Sequence, residues 1–363
     1  MNPIAPTSAR HAQLSADFAR ATLALFAAAA ALSLSPPAHA ALSRDAAPNT
    51  PPSTAPTTVA AQPAAQAATP DWWSAFGEAP LDQLLAQPGP ARSALSAAAQ
   101  NELVQAYVLM RVQQVRLGLS AQLLQALQTE RELLRRQSPT RDVAQAVAVV
   151  DQRISYAQGL VVNFTQLRDA AAGQLVQRTA HDAATVRSAV QAALSQDTLP
   201  EFRATVPERL PATVLLTRDD VASLRGELSA LGQGEMSLDG WIGPASALPA
   251  APALERDLQA RSPDQTLRQA GVEVSWSLRQ LAEARAAAAA DAQRLDARRL
   301  EVMAARQRAE IGDVGPTDVL EVYLRFLGDA DTAAQSQGLL ALAWTALHRQ
   351  APGAWQTLTA SRR

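Results

Sequence analysis

The chain has 363 residues, of which 48% are hydrophobic and only 4% aromatic, and its net charge at pH 7 is −2. The length allows a sizeable core, and a composition rich in alanine but poor in aromatic residues favours long helices over a β-sandwich or an α/β core. The nearly balanced charge gives no indication of a nucleic-acid partner. Because the sequence has no cysteine, it excludes disulfides, thiolate metal sites and thiol nucleophiles.

The first 40 residues have the pattern of a signal peptide. Two arginines precede the apolar run 21–34, and an A-x-A sequence ends at Ala40. This order predicts export, with cleavage after Ala40. The apolar run of 14 residues is shorter than the ~20 that a membrane-spanning helix needs, which argues against a membrane anchor. Residues 41–70 are mainly Pro, Ala, Thr and Ser and are predicted to form a disordered linker.

Residues 71–200 predict a first helical repeat. It opens with the aromatic cluster at 71–76, which we expect to pack on a neighbouring surface. Apolar residues then recur in steps of three and four from about 94 to 137, and Ser138-Pro139-Thr140 ends that helix. The next helix carries a strict alternation of four- and three-residue steps. Such a heptad seam predicts an antiparallel coiled-coil hairpin with its turn near 138–141. The seam positions are Val143, Val147, Val150, Ile154, Ala157, Val161 and Phe164.

The second half of the chain repeats this plan. Residues 201–253 are predicted to link the repeats through a short helix and a Gly- and Pro-rich loop, and residues 254–355 to form the second repeat. Its helices are separated by a turn near 312–317, and the last helix carries a seam from Val319 to Leu347 that includes Gln337. The sequence therefore predicts an all-α fold of two duplicated, long antiparallel coiled-coil hairpins, followed by a tail at 356–363.

Both predicted turns contain a Pro-Thr pair that leads into Asp-Val. The two aspartates fall in the first helical turn, where free backbone N–H groups and the helix dipole favour a carboxylate. Ordinary capping is the simpler interpretation. A further hypothesis is that both turns lie at one end of the molecule and form an exposed docking surface. Its candidate partner-binding residues are Arg136, Pro139, Thr140, Asp142, Val143, Gly312, Gly315, Pro316, Thr317, Asp318 and Val319.

The sequence contains no constellation typical of an enzyme. His11 and His39 fall in the predicted signal peptide, and His181 and His348 have no neighbouring residue at metal-ligand spacing. The metalloprotease, hydrolase, P-loop and dinucleotide motifs are all missing. We therefore predict no catalytic residue, no cofactor and no metal site. A helix of about 45 residues would extend ~65 Å, longer than a compact core requires, which indicates helix association in an extended assembly.

Several segments carry a resemblance when they are taken in chain order. They are D-W-W-x-x-F at 71–76, A-Y-x-x-x-R-x-x-Q-x-R at 106–116, D-V-A-Q-A at 142–146, V-P-E-R-L-P at 206–211 and R-x-x-x-G-x-x-x-x-x-D-V-L at 308–320. Together they resemble the TolC-like outer-membrane efflux protein family. The resemblance implies a periplasmic helical tunnel component of a tripartite efflux or secretion system. It also implies assembly as a trimer, docking onto a periplasmic adaptor protein, and location in the periplasm or outer membrane of a Gram-negative bacterium.

The sequence also departs from the pattern of that family. In the family a further helix and two membrane strands lie between the first two motifs, yet only about twenty residues separate Leu84 from Ala106. The matching stretch of the second half is equally short of the ~10-residue alternating strands that a membrane barrel needs. We therefore expect a shortened relative with little or no β-barrel, which does not support membrane contact. Arg136 also stands where the first turn of the family has glycine, whereas Gly312 is retained.

Two functions stay open from the sequence. The first is a tunnel component that self-associates or co-assembles with full-length relatives and binds an adaptor through its turns. The second is a periplasmic coiled-coil scaffold, or an adaptor-like protein, with no conduit activity.

Overall fold

The described part of the chain begins after the predicted signal peptide and linker. The computed structural model describes residues 72–85, 96–179, 183–200, 202–230, 238, 240–244, 263–352 and 354. The predicted segments 1–40, 41–70 and 356–363 lie outside these residues, as does His181.

Helices dominate the described residues. The described ranges contain seven α-helices: α1 (Ala79–Leu85), α2 (Ala97–Arg135), α3 (Arg141–Arg178), α4 (Ala183–Leu194), α5 (Asp219–Ala230), α6 (Pro263–Glu310) and α7 (Pro316–Gln350). Two short 3-10 helices occupy Trp72–Phe76 and Ala212–Thr217. Strands β1 (Leu210–Pro211) and β2 (Trp241–Ile242) form one small antiparallel pair, with Leu210 opposite Ile242. No helix in the described ranges is both long enough and apolar enough to cross a membrane.

The four longest helices form the two predicted hairpins. Helix α2 packs against α3, and α6 packs against α7. The seam predicted for α3 is the face turned inward, since Val150, Ile154, Ala157 and Phe164 are all buried. The all-α fold of two duplicated antiparallel hairpins is therefore confirmed.

The two hairpins lie side by side because α2 also packs against α7. Across the molecule the long helices therefore follow the order α3, α2, α7, α6, with α2 and α7 in the centre and α3 and α6 outermost. Gln337 departs from the predicted seam, because its side chain is exposed. A heptad seam assumes one partner, whereas α7 packs against both α2 and α6, so its buried positions follow two contact faces and not a single seam.

Apolar contacts hold the hairpins together in two separate clusters. The smaller cluster joins α2, α3 and α7 through Ala126, Leu127, Val150, Ile154, Ala157, Leu324 and Leu327. The larger one lies toward the other end of the helices, where α1, α4, α5 and the β pair also contribute. We call this second end the base end. Helix α4 is a separate element that the weakening sequence pattern after Leu175 did not predict.

The predicted aromatic cluster packs on α7 at the base end. The Trp344 indole N–H donates a hydrogen bond to the Trp72 carbonyl oxygen at 3.2 Å. Phe202 places its ring centroid 5.3 Å from that of Trp344 in an edge-on arrangement. The prediction that this cluster packs on a neighbouring surface is confirmed.

Candidate docking turns and outer helix faces

The two hairpin turns lie at the same end of the molecule. We call residues 136–140 the first turn, residues 311–315 the second turn, and the end that carries them the tip end. A groove of about 390 Å³ opens there between the hairpins. One wall comes from α2 and α3 and the other from the start of α7. The lining residues are Glu130, Leu134, Asp142, Gln145, Ala146, Val149, Val150, Arg153, Thr317, Leu320, Glu321 and Leu324.

The groove combines an apolar floor with a charged rim. Val150 and Leu324 are buried beneath it and belong to the cluster that joins the hairpins. On the rim, Arg153 pairs with Glu130 at 3.0 Å. A surface of this kind can accept an apolar side chain while its rim groups hydrogen-bond a partner backbone or side chain.

The first turn is held by a local hydrogen bond. Thr140 caps α3, because its hydroxyl oxygen accepts a hydrogen bond from the Val143 backbone N–H at 3.2 Å. Arg136, Pro139 and Asp142 are exposed, and Val143 is half-buried. This turn therefore displays its candidate residues while its conformation depends on neighbours in the sequence.

The second turn is held in a different local way. Gly312 has a φ of +76°, a left-handed conformation that favours glycine. The Asp318 carboxylate accepts a hydrogen bond from the Gly315 backbone N–H at 2.9 Å, and Pro316 occupies the first helical position. Capping is therefore the role of Asp318, whereas Asp142 lines the groove. Thr317 is exposed and Val319 is half-buried.

The duplicated turns carry opposite charge. The segment 135–142 contains Arg135, Arg136, Arg141 and one aspartate, which gives a net charge of +2. The segment 310–318 contains Glu310 and two aspartates with no basic residue, which gives −3, although Asp313 pairs with Arg308 just before the segment. Arg136 contributes to this difference.

Two polar residues of the 106–116 motif, Tyr107 and Arg111, form hydrogen bonds at the base end. Arg111 is fully buried and donates to Glu78 at 3.2 Å and to the carbonyl oxygens of Ala193, Gln196 and Thr198. Tyr107 also bonds to Glu78, and burial, together with this hydrogen bond, raises the pKa of the tyrosine hydroxyl. Sequence reasoning did not single out Glu78. Its place beside Gly77, after the aromatic cluster, gives no signal that it pairs with residues about thirty positions away.

A second buried ion pair joins the hairpins at mid-height. Arg116 on α2 forms two hydrogen bonds with Asp331 on α7, at 2.8 and 3.0 Å. The guanidinium carbon of Arg116 also lies 4.3 Å from the ring centroid of Phe164 on α3. Because the charges are buried and bidentate, this contact sets the register of three helices.

The outer faces of the molecule carry exposed apolar side chains. Of the eight large apolar residues that are exposed in the described part of the chain, six lie on α3 or α6 and none on α2 or α7. They are Val162, Val176, Val272, Trp276, Leu300 and Met303. Leu300 and Met303 expose 66% and 61% of their surface, so these faces have no covering partner within the described chain.

Two of these side chains lie at matching distances from the turns. Val176 is 35 residues after Arg141, where α3 begins, and Trp276 is 34 residues before Glu310, where α6 ends. At 1.5 Å per residue, each lies about 50 Å from its turn. The two outer faces therefore present apolar groups at the same height on opposite sides of the molecule.

His348 is not arranged for catalysis. Its ring stacks on Trp72 with centroids 4.9 Å apart and meets Trp344 edge-on at 4.5 Å. Burial lowers its pKa to about 3. In the described ranges no three His, Cys, Asp or Glu side chains come together as a metal site would require.

Comparisons with known proteins give structural similarities. No protein-family model matches the chain, and no curated protein matches it. Among solved structures, it is similar to CusC, whose crystal structures concern folding and transmembrane channel formation, with 15% identity and a TM-score of 0.49. That alignment covers 71% of this chain and 78% of CusC.

Two further solved structures are similar to the chain. The Campylobacter jejuni CmeC outer membrane channel is 11% identical over 73% of this chain and 66% of CmeC, with a TM-score of 0.47. A membrane protein from Pseudomonas aeruginosa is 17% identical over 68% of each chain, with a TM-score of 0.44.

Proposed function

We propose that this chain is an exported helical subunit of a TolC-like periplasmic tunnel in a tripartite efflux or secretion system. It assembles side by side with further copies, or with full-length relatives, and docks onto a periplasmic adaptor protein through its tip end. The observation that carries this proposal is the distribution of exposed apolar residues, which are concentrated on the two outermost helices and absent from the two central ones.

This distribution supports a side-by-side contact in which two different faces of neighbouring copies meet. If α3 of one copy packs against α6 of the next, Val176 and Trp276 meet at the same height while both sets of turns stay at the same end. Such an interface joins two different surfaces, so repeating it generates a ring when the rotation closes. The resemblance to the efflux family implies three copies. The outer faces of α3 and α6 then become buried between copies, which removes their exposed apolar side chains from water.

The tip end supports the docking part of the proposal. Both turns are exposed, lie beside one groove, and are held by local caps, so their outward side chains are available to a partner. The opposite charges of the two turns would orient a partner that carries complementary charges, since electrostatic matching fixes register more than affinity.

The assembly is tested by comparing two tryptophan variants in light scattering and sedimentation. Trp276→Glu places a charge in the proposed interface and should lower the association constant at least about tenfold. Trp241→Glu is the matched control, because Trp241 is also exposed but lies on β2, outside both outer helices. It should leave association unchanged.

The outcomes of this test separate the two functions. A chain that stays monomeric at every concentration, or a Trp276→Glu variant that associates like the unmodified protein, would contradict the tunnel. A monomer that binds no efflux component would instead favour the periplasmic scaffold without conduit activity.

A further inference from the structure

A cavity of about 300 Å³ lies between the hairpins, well away from the turns. Its walls come from α2, α6, α7 and the first 3-10 helix, together with Leu199, Pro200 and Phe202. The side chains that close it are mainly apolar, and Phe76, Val108 and Val112 are themselves buried. The cavity is therefore a partly open recess between the hairpins, with buried apolar walls and the exposed Gln337 at its mouth.

Small residues keep this space open. Ala288 on α6 and Ala341 on α7 face it, and both are buried. Gly338 is required for another reason, because a Cβ atom there would come within 2.6 Å of Val112 Cγ2. Helices α2 and α7 therefore touch at Gly338, and the cavity forms beside that contact. Protein interiors normally fill such space, and an apolar recess of this size loses dispersion contacts unless a molecule occupies it.

The polar groups around the cavity define what it can hold. Arg111 contributes to the wall, but its five N–H bonds are already directed to Glu78 and to the carbonyl and side-chain oxygens of residues 193–198. It therefore has no donor left for an anion. Gln337 is exposed at the mouth and supplies an amide. The cavity suits an uncharged molecule with at most one polar group, which would face the mouth.

We propose that this cavity is a binding site for a small, neutral, aromatic molecule. Phe76 and Phe202 both line the cavity, with ring centroids 6.2 Å apart and planes tilted by 57°, so a bound ring would lie against aromatic side chains. The volume lies at the lower end of the range for ligand sites, which limits the ligand to about three fused or linked rings. This site goes beyond the proposed tunnel function, since it lies within one chain and requires neither a second copy nor an adaptor.

The test uses N-phenyl-naphthylamine, a neutral two-part aromatic whose fluorescence rises in apolar surroundings. We expect saturable binding of one molecule per chain. Ala288→Leu extends a side chain into the cavity and should raise the dissociation constant at least about tenfold. Ala290→Leu is the matched control, because Ala290 lies two residues further along α6 and is exposed. It should bind the probe as the unmodified protein does.

Two further measurements keep the result decisive. If Ala288→Leu unfolds, Leu199→Asp replaces it, because a charge at this half-buried position on the cavity rim should weaken binding in the same way. The probe should also raise the midpoint temperature of thermal unfolding of the unmodified protein. The proposal is overturned if binding is not saturable, or if neither substitution changes it. It is also overturned if Trp276→Gln abolishes binding, because the probe would then occupy the outer face of α6.

Discussion

The base end and the tip end are built from the same helices but held together in different ways. At the base end Arg111 is fully buried and bonds to carbonyl groups more than 80 residues further along the chain. At the tip end the capping hydrogen bonds of Thr140 and Asp318 reach only three residues. Residues at the base end therefore hold distant segments in place. Residues of the two turns can be replaced with little effect on the fold, so their side chains are available to bind a partner.

The largest expected effect comes from Arg111→Ala. Removing the guanidinium leaves the buried Glu78 carboxylate without its ion partner and several carbonyl groups without donors. We expect the free energy of unfolding to fall by about 3–5 kcal/mol in chemical denaturation. Arg299→Ala is the matched control, because this arginine forms a solvent-exposed ion pair with Asp296, and its loss should cost about 0.5 kcal/mol or less. Equal losses for the two variants would contradict the difference between buried and exposed arginines.

A pH-dependent effect is expected from His348 at the base end. Its pKa is lowered to about 3 by burial, whereas in the unfolded chain it titrates near ~6.5. Above the unfolded value both states are neutral and this group does not affect stability. As the pH falls from about 6.5 toward 3, only the unfolded chain takes up the proton, so the folded state loses up to about 2–3 kcal/mol by pH 4.5.

His348→Phe keeps an aromatic ring against Trp72 and Trp344 but removes this titration. The measurement is the difference in unfolding free energy between pH 7 and pH 4.5, in the variant and in the unmodified protein. Because other groups titrate equally in both, the variant should lose less stability on acidification. An identical loss would show that His348 is not held neutral.

The smallest effect on stability is expected at the turns. Thr140→Trp removes the cap of α3 and should lower the free energy of unfolding by about 1 kcal/mol. The Thr317 side chain forms no hydrogen bond within the described residues, so Thr317→Trp should lower it by only a few tenths of a kcal/mol. Both variants should lower the affinity for the periplasmic adaptor of the same organism at least about tenfold. Thr213→Trp, an exposed threonine in the second 3-10 helix, is the control. Adaptor binding that is unchanged in both turn variants would remove the docking role, even if the chain assembles.

Much of the architecture could be predicted from local sequence signals. The four-three spacing from Val143 to Phe164 placed the buried face of α3, and Pro139 and Pro316 placed the turns close to their observed positions. These signals act within a few residues, because helix periodicity and proline geometry are local properties. Helix α4 was missed because its 12 residues follow a weakening seam, with no proline or glycine to mark the break.

The candidate sites could be predicted less completely from local sequence signals. The turn residues were identifiable from their repeated Pro-Thr and Asp-Val pairs, but the groove between them requires both hairpins to lie side by side. The cavity beside Gly338 likewise gave no sequence signal, because glycine and alanine in a helix do not reveal which neighbour they approach.

The sequence by itself determined the long helices, most of their seam positions, their caps and their duplication, since each depends on residues that are close along the chain. Only the tertiary structure decided which two helices are central, which faces remain exposed and how the buried charges pair. The Arg116 and Asp331 side chains, for example, are 215 residues apart in sequence and yet share two hydrogen bonds. Contacts of this kind arise when α2 packs on α7, and no local propensity encodes them.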